Sequence, residues 1–390
     1  MKRWPSYSDE EIDLVCSILK SGKVNYWSGD VGRKFEEEFA VYTGNDHAIA
    51  CANGTVALIM AYKAVGVDEE SEVITTPRTF VATSSAAAMC GASLRYADVD
   101  YWSGCITAKS IEPLVTDRTK CVSVVHLGGH PGDIESIARL CKEKGISLIE
   151  DCSQAHGASV NGKIVGSFGD IGVWSFCQDK IISTGGEGGM VATSNELYAE
   201  RMFQMKDHGR NRRQVGASSK TSASFKWTVE SIGMNYRLTE MQSALGRYQL
   251  KRLEHNLRRR QDIADVYEEI LGSCSEFRFP SLKENERCAY YRFYVYCQGA
   301  NSGERRNWLI EEMQKHGYSV NVGSCPEVWR EKGLKQYTQQ VSSLRYAQML
   351  GETSIALPIS HLMSNEDAAS IAEALVETSK QFSVYESLRD

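Results

Sequence analysis

Residues 172–190 read GVWSFCQDKIISTGGEGGM: a short apolar run ending near Ser175, a lysine at position 180, a glycine-rich turn, and a second apolar run beginning at Gly189. Glycine lets backbone approach a ligand closely, so Lys180 stands where a strand gives way to a turn able to receive one. Taken alone this is an ordinary feature, because most lysines are solvated surface groups.

Two upstream stretches give it company. In 147–158, SLIEDCSQAHGA, Asp151 falls at the C-terminal end of a buried strand, where a carboxylate is costly unless it meets a cation or hydrogen-bond donors. A helix N-cap would satisfy it, and so would a protonated ring nitrogen of a bound heterocycle, whose edge Gln154 and His156 are spaced to reach. In 51–66, CANGTVALIMAYKAVG, Gly54 and Thr55 open an apolar helix directly after a strand, so free N–H groups and the positive helix end make a phosphate site. Thr55 and Ser175 add hydroxyl donors there. Phe80, in TPRTFVATSSA after the next strand, can lie flat on a heterocycle or simply pack in the core.

From about residue 47 apolar runs alternate with amphipathic stretches, the pattern of a parallel or mixed sheet covered by helices. Strands are expected at 47–51, 72–75, 93–97, 121–126, 147–150, 173–175 and 189–193, with helices at 55–64, 81–90 and 134–144. Residues 238–271 form a long charged helical pattern that serves as a connector. Beyond it a strand at 290–297 and helices at 304–316 and 367–379 make a smaller α/β unit, so the chain is expected to divide into 1–245 and 246–390. The stretch 209–227 holds Arg210, Arg212, Arg213, Lys220 and Lys226 among many serines and reads as a basic loop.

Composition narrows the function. A net charge of -6 argues against a surface built to grip nucleic acid. The N-terminus turns acidic at once with no apolar run behind it, and no apolar stretch approaches the roughly 20 residues a bilayer needs, so no membrane association is expected. The twelve cysteines are scattered without any Cys-x-x-Cys pair, which reads as reduced thiols in a cytoplasmic protein, with no metal site.

In their joint order these pieces resemble the DegT/DnrJ/EryC1/StrS family of sugar aminotransferases. The likeness extends through residues 19–44 (LKSGKVNYWSGDVGRKFEEEFAVYTG), ADVD, VHLGGHPGD, 233–246 (GMNYRLTEMQSALG) and ALPISH. It implies an α/β fold of the aspartate-aminotransferase type, fold type I among enzymes of pyridoxal 5′-phosphate (PLP), with a mixed seven-stranded sheet and a smaller C-terminal α/β domain. By resemblance Lys180 is the Schiff-base lysine, Asp151 the partner of the pyridine nitrogen and Gln154 that of the ring oxygen. Phe80 stacks on the ring, while Gly54, Thr55 and Ser175 hold the phosphate. Asn235, in a Gly-x-Asn-x-Arg segment, reaches the neighbouring subunit's phosphate, which implies a homodimer.

The resemblance further implies L-glutamate as donor, pyridoxamine 5′-phosphate as the form between half-reactions, and a nucleotide-linked keto sugar as acceptor. The first guess is a UDP-4-keto-6-deoxy-N-acetylhexosamine used for bacterial surface polysaccharide. His156, Arg210, Arg212, Arg213 and Arg237 are candidate substrate contacts. The sequence departs from relatives at Gly185-Gly186, at Gly129-His130 and at 287–290, which lacks a histidine, and no role is carried onto that last segment. A dehydratase of the same family has histidine in place of Lys180; the alternatives are an aminotransferase for another keto sugar (C3-keto, GDP- or dTDP-linked, or a free sugar or cyclitol) and a regulatory protein keeping only the fold.

Overall fold

The computed structural model describes residues 4–212, 229–339 and 343–387. Two helices, α1 (Asp9–Ser21) and α2 (Val31–Thr43), precede β1 (His47–Cys51) and α3 (Gly54–Ala64). There follow β2 (Glu72–Thr75), α4 (Val81–Met89), β3 (Ser93–Tyr96), the short α5 (Ala108–Ile111), β4 (Thr119–Val125), α6 (Ile134–Lys144) and β5 (Ser147–Asp151). The short β6 (Ser159–Val160) and β7 (Lys163–Ile164) lead to β8 (Ile171–Ser175), β9 (Gly189–Thr193) and α7 (Glu196–Lys206).

The main sheet has seven strands in the order β1-β9-β8-β5-β4-β2-β3. Only β9 runs against its neighbours, so the C-terminal ends of the other six share one edge. Its strands are almost wholly buried, as apolar runs covered by helices on both faces must be. The register sets Asp151 beside Val125 and Val173, and Ser175 and Cys51 beside Gly189. The loops after β1, β2, β5 and β8 therefore leave the sheet side by side, where open α/β sheets bind ligands.

Helix α8 (Glu240–Leu271) is the strut of the molecule, 32 residues and about 48 Å long at 1.5 Å per residue. Its Leu250, Leu253 and Leu257 pack with Phe35, Phe39 and Trp174. Further along, Ile263, Ala264, Tyr267 and Leu271 join a second core with Phe293, Val295, Leu309 and Leu375. That second core lies around the antiparallel sheet of β10 (Phe277–Arg278), β12 (Phe293–Cys297) and β13 (Ser354–Leu357), covered by α9 (Ser302–Lys315), α10 (Arg345–Thr353) and α11 (Asn365–Ser387). The short β11 (Glu286–Arg287) pairs with β6 and ties this part back to the first.

The strand expected from residue 290 begins instead at Phe293. Tyr290 sits at φ 47°, a left-handed conformation that breaks an extended run and turns the two residues after it. The buried Arg260 of α8 fixes this corner: its Nη1 donates to the carbonyls of Tyr290 (2.8 Å) and Ile359 (2.9 Å). All twelve cysteines are free thiols, eight of them buried. Among the described residues no helix is long and apolar enough to cross a membrane.

Helix α2 has no cap of its own, since Asp30 makes no capping bond. The fully buried Glu240 supplies one from the start of α8, accepting from the N–H groups of Val31 (2.7 Å) and Gly32 (3.0 Å). A Cβ at Gly29 would collide with that carboxylate, so the close approach requires glycine. Glu240→Ala strands both donors in the interior and should cost about 2–4 kcal/mol, read as a lower urea midpoint; an unchanged midpoint would mean water replaces the cap at no cost.

Candidate active site

The shared sheet edge opens into a cavity of about 720 Å³. Gly54, Thr55, Phe80, Asp151, Gln154, Ser175 and Lys180 all line it. Strands that lie apart in sequence thus bring seven of the expected residues together.

Asp151 is the last residue of β5 and only 5% exposed. Its Oδ2 accepts from the Thr83 hydroxyl (2.8 Å) and its Oδ1 from the Ser153 N–H (3.1 Å). A turn follows it, not a helix, so it is not an N-cap. No described cation pairs with this carboxylate. Thr83 is in turn hydrogen-bonded to Thr79 (2.9 Å), which fixes the hydroxyl that orients Asp151.

Gln154 is oriented from both ends of its amide. Its Oε1 accepts from the Gly128 N–H (2.8 Å), and its Nε2 donates to Ser324 Oγ (3.2 Å), leaving the second Nε2 hydrogen for a ligand. At the start of α3, Asn53 caps Val56 (2.9 Å), while the N–H groups of Gly54 and Thr55 have no partner among the described residues. A Cβ on Gly54 would come within 2.7 Å of the Ser175 Cβ, so a side chain there would fill the cradle. Two free donors at the positive end of a helix, beside the Thr55 and Ser175 hydroxyls, make an anion site. Phe80 precedes α4 and is 64% exposed, so it is a wall of the cavity and not core.

Lys180 has two neighbours that the sequence did not single out, Tyr291 and Asp179. Its Nζ lies 3.4 Å from the Tyr291 hydroxyl, 4.6 Å from the centre of that ring and 3.7 Å from the Asp179 carboxylate. Tyr291 donates its hydroxyl to Asp179, and Arg292 lies over the same ring with its guanidinium carbon 4.5 Å from the centre. Burial works to raise the Asp179 carboxyl, but the Lys180 charge, the Tyr291 hydrogen bond and the Arg292 charge hold it below the usual carboxylate range. Burial pushes the Tyr291 phenol above its ordinary value. Tyr291 and Arg292 follow the left-handed corner at Tyr290, directly beyond the segment 287–290, and no glycine marks that corner in the sequence.

Four of the expected substrate contacts have other neighbours in the structure. His156 is 1% exposed and does not line the cavity. The Arg237 guanidinium is committed to the buried Asp207. Arg212 turns to the opposite end of β1, 3.4 Å from the His47 ring and 3.8 Å from Glu196. Arg210 lies over the Trp27 ring at 5.2 Å. These pairings are set by neighbours in space, on which sequence spacing is silent. Arg213, Lys220 and Lys226 fall outside the described residues. Asn235 is exposed and bridges to Asp207, with the next residue, Tyr236, on the cavity wall.

This architecture is shared with an aminotransferase from Psychrobacter cryohalolentis, 37% identical over 100% of both chains with a TM-score of 0.91. The fold is that of the fold type I, PLP-dependent aminotransferases. The chain belongs to the DegT/DnrJ/EryC1/StrS aminotransferase family, whose model matches residues 5–376, and it is a PLP-dependent sugar aminotransferase. It is similar to the GDP-perosamine synthase of Caulobacter vibrioides, 36% identical over 376 residues, 95% of this chain and 96% of that protein. It is also similar to the UDP-N-acetyl-3-dehydro-alpha-D-glucosamine 3-aminotransferase of Acidithiobacillus ferrooxidans, 36% identical over 291 residues, 74% and 73% of the two chains. The residues present fit the cofactor: a buried carboxylate and two helix-end N–H groups, all without a partner cation or acceptor among the described residues, line one cavity with a lysine amine.

Burial, reinforced by the charges of Lys180 and Arg260, pushes the His156 ring down to about 3. In the unfolded chain it titrates near about 6.5, so as pH falls the unfolded state takes up the proton first. Stability should therefore decline from about pH 6.5 toward 3, with His156 contributing up to about 1.4 kcal/mol per pH unit. His361, also pushed down to about 3 by burial, acts in the same direction. Urea midpoints measured from about pH 7.5 to about pH 5 should fall less steeply for His156→Asn than for the unaltered protein. Parallel slopes would show that the ring charges in the fold.

Proposed function

We propose that the chain transfers the amino group of L-glutamate to C4 of a nucleotide-linked 4-keto-6-deoxy hexose, the first candidate being a UDP-linked N-acetylhexosamine. The setting would be cytoplasmic synthesis of amino sugars for bacterial surface polysaccharide. The observation that carries the reading is the placing of Lys180, Asp151 and the free N–H groups of α3 around one cavity.

When bound, the cofactor supplies an aldehyde that receives the amino group and a ring that accepts the electron pair released at the donor's α-carbon. Lys180 holds the cofactor, and as a free amine its Nζ takes the α-proton and returns it. The Tyr291 hydroxyl and the Asp179 carboxylate steady that amine between the two roles. Asp151 provides the negative charge facing the ring nitrogen, and Gln154 offers its remaining amide hydrogen to the ring oxygen. The N–H groups of Gly54 and Thr55, with the hydroxyls of Thr55 and Ser175, receive the phosphate, and Phe80 covers one face of the ring.

We assign Asn235 to the phosphate of a second copy of the chain. Exposed apolar side chains in the same segment support such a junction: Ile232 is 94% exposed and Met234 54%. The division of the chain at residue 245 belongs to the same proposal. It falls inside α8, whose first half packs with the large sheet and whose second half packs with the small one.

A second reading, a GDP-linked sugar or C3 amination, is favoured by the two relatives named above. Steady-state kinetics on a panel of UDP- and GDP-linked 4-keto sugars, 3-keto sugars and free sugars should give the highest kcat/KM with the UDP-linked 4-keto N-acetyl sugar. A higher value for any other member would replace it. Lys180→Ala should abolish turnover with the fold intact, and Asp151→Asn should lower it roughly a hundredfold or more. A change within a factor of about two would remove Asp151 from the mechanism. Mixing the Lys180→Ala and Asn235→Ala proteins under subunit exchange should restore activity through hybrid dimers. A fully active monomer would contradict the shared site.

A further inference from the structure

The loop that follows β4 serves the cavity from one residue. The Gly128 N–H donates to Gln154 Oε1 (2.8 Å), and the Gly128 carbonyl accepts from the N–H groups of Tyr291 (2.8 Å) and Arg292 (3.4 Å). Gln154 and Tyr291, far apart in the chain, are therefore set by the same glycine. It stands at φ 67°, and a Cβ there would come within 2.9 Å of the Tyr294 ring, so the position admits no side chain.

His126, 2% exposed, closes this loop. Its Nδ1 lies 2.9 Å from the Pro131 carbonyl and its Nε2 3.1 Å from Glu150 Oε2. A carbonyl oxygen only accepts, so Nδ1 carries a hydrogen. The wholly buried Glu150 also accepts from the N–H groups of Gly166, Phe168 and Gly169, each at 2.7 Å, and this set of donors suits a carboxylate rather than an acid. Nε2 thus faces an acceptor as well. Among the described residues no lysine or arginine pairs with Glu150. His130 is the contrast within the same loop: its Nδ1 accepts from the Gly132 N–H (3.0 Å), which leaves one hydrogen, on Nε2 toward the Ser281 carbonyl (3.3 Å). His126, Glu150 and Cys152 also bring metal-ligating atoms within 4.8 Å of one another. Both Glu150 oxygens are already taken by backbone N–H groups, however, and burial pushes the Cys152 thiol well above its ordinary value, so a proton is the charge that fits there.

We infer that His126 is a buried imidazolium paired with the Glu150 carboxylate, and that this ion pair is the positioning device that fixes Gly128 and, through it, both Gln154 and Tyr291. Removing either partner leaves the other charge uncompensated in the interior, which ties the loop to β5. The pair itself touches no substrate. It acts through Gln154 and through Tyr291, whose hydroxyl lies 3.4 Å from Lys180 Nζ. This inference rests on the proposed contact between Gln154 and the ring oxygen of the cofactor.

The first readout is the downfield proton spectrum of the cofactor-loaded protein carrying isotope-labelled histidine. One ring should show two N–H protons, and both should vanish in His126→Gln. A single N–H on that ring, or a divalent metal bound by it, would overturn the charge assignment. The second readout is the pH midpoint of the visible absorbance of the loaded protein. Loss of a donor leaves the ring oxygen more basic, so Gln154→Ala, His126→Leu and Glu150→Gln should each raise the midpoint by about half to one pH unit, the size of one net hydrogen bond. Gln154→Ala and His126→Leu combined should fall short of the sum of the two, since both act through one contact. His126→Gln, which returns a donor toward Glu150, should recover part of the change. If Gln154→Ala leaves the midpoint within about a tenth of a pH unit, the ring-oxygen contact itself fails. If Gln154→Ala moves it while Glu150→Gln and His126→Leu, folded and loaded, do not, only the positioning role fails.

Discussion

A carboxylate buried at the end of a parallel strand, with hydrogen-bond donors but no cation among the described residues, is the constraint around which the site is arranged. The effective cost of burying an unpaired ion is several kcal/mol, so a stable fold keeps one only with partial compensation. Asp151 receives that compensation from Thr83 and the Ser153 N–H, and the remaining charge faces the cavity. Thr83 belongs to α4 and is locked by Thr79 from the loop after β2, so the orientation of Asp151 depends on how β2 and β5 flank β4. The sheet order is thus a condition of the site's electrostatics.

The smaller part of the chain completes the cavity. Asn321, Gly323 and Ser324 line it from one loop, while Tyr291 and Arg292 line it from the entry to β12. Both contributions are held against the large sheet by side chains that cross between the two parts. Ser324 receives the Gln154 amide and donates its backbone N–H to Tyr294 (2.8 Å), and Arg260 clamps the Tyr290 corner from α8. Lys180 is consequently shaped from two sides: its own turn supplies Asp179, and a segment more than a hundred residues away supplies Tyr291.

The sheet was legible in the sequence because a parallel sheet covered on both faces needs apolar strands: β1, β2 and β9 begin and end at the residues their alternation marks. Asp151, Lys180 and the Gly54-Thr55 pair were legible for a related reason, since a charge or a glycine at a strand's end breaks an apolar pattern. The arginines were not. Arg212 sits in a basic stretch that suggests a loop gripping phosphate and Arg237 closes the Gly-x-Asn-x-Arg segment, yet each finds an acid, Glu196 or Asp207, brought near by the fold. His156 shares its segment with Asp151 and Gln154 but is buried and does not line the cavity. Tyr291 and Arg292 were hidden because the left-handed turn at Tyr290, which no glycine announces, changes where the following side chains face.

The proposed chemistry requires Lys180 to hold the cofactor within reach of the buried Asp151. Its most direct test is to reduce the purified, cofactor-loaded protein with borohydride, digest it and locate the modified residue by mass spectrometry. The label should appear on the peptide containing Lys180 and on no other. A label on a different lysine, or an unlabelled protein that still turns over, would contradict it.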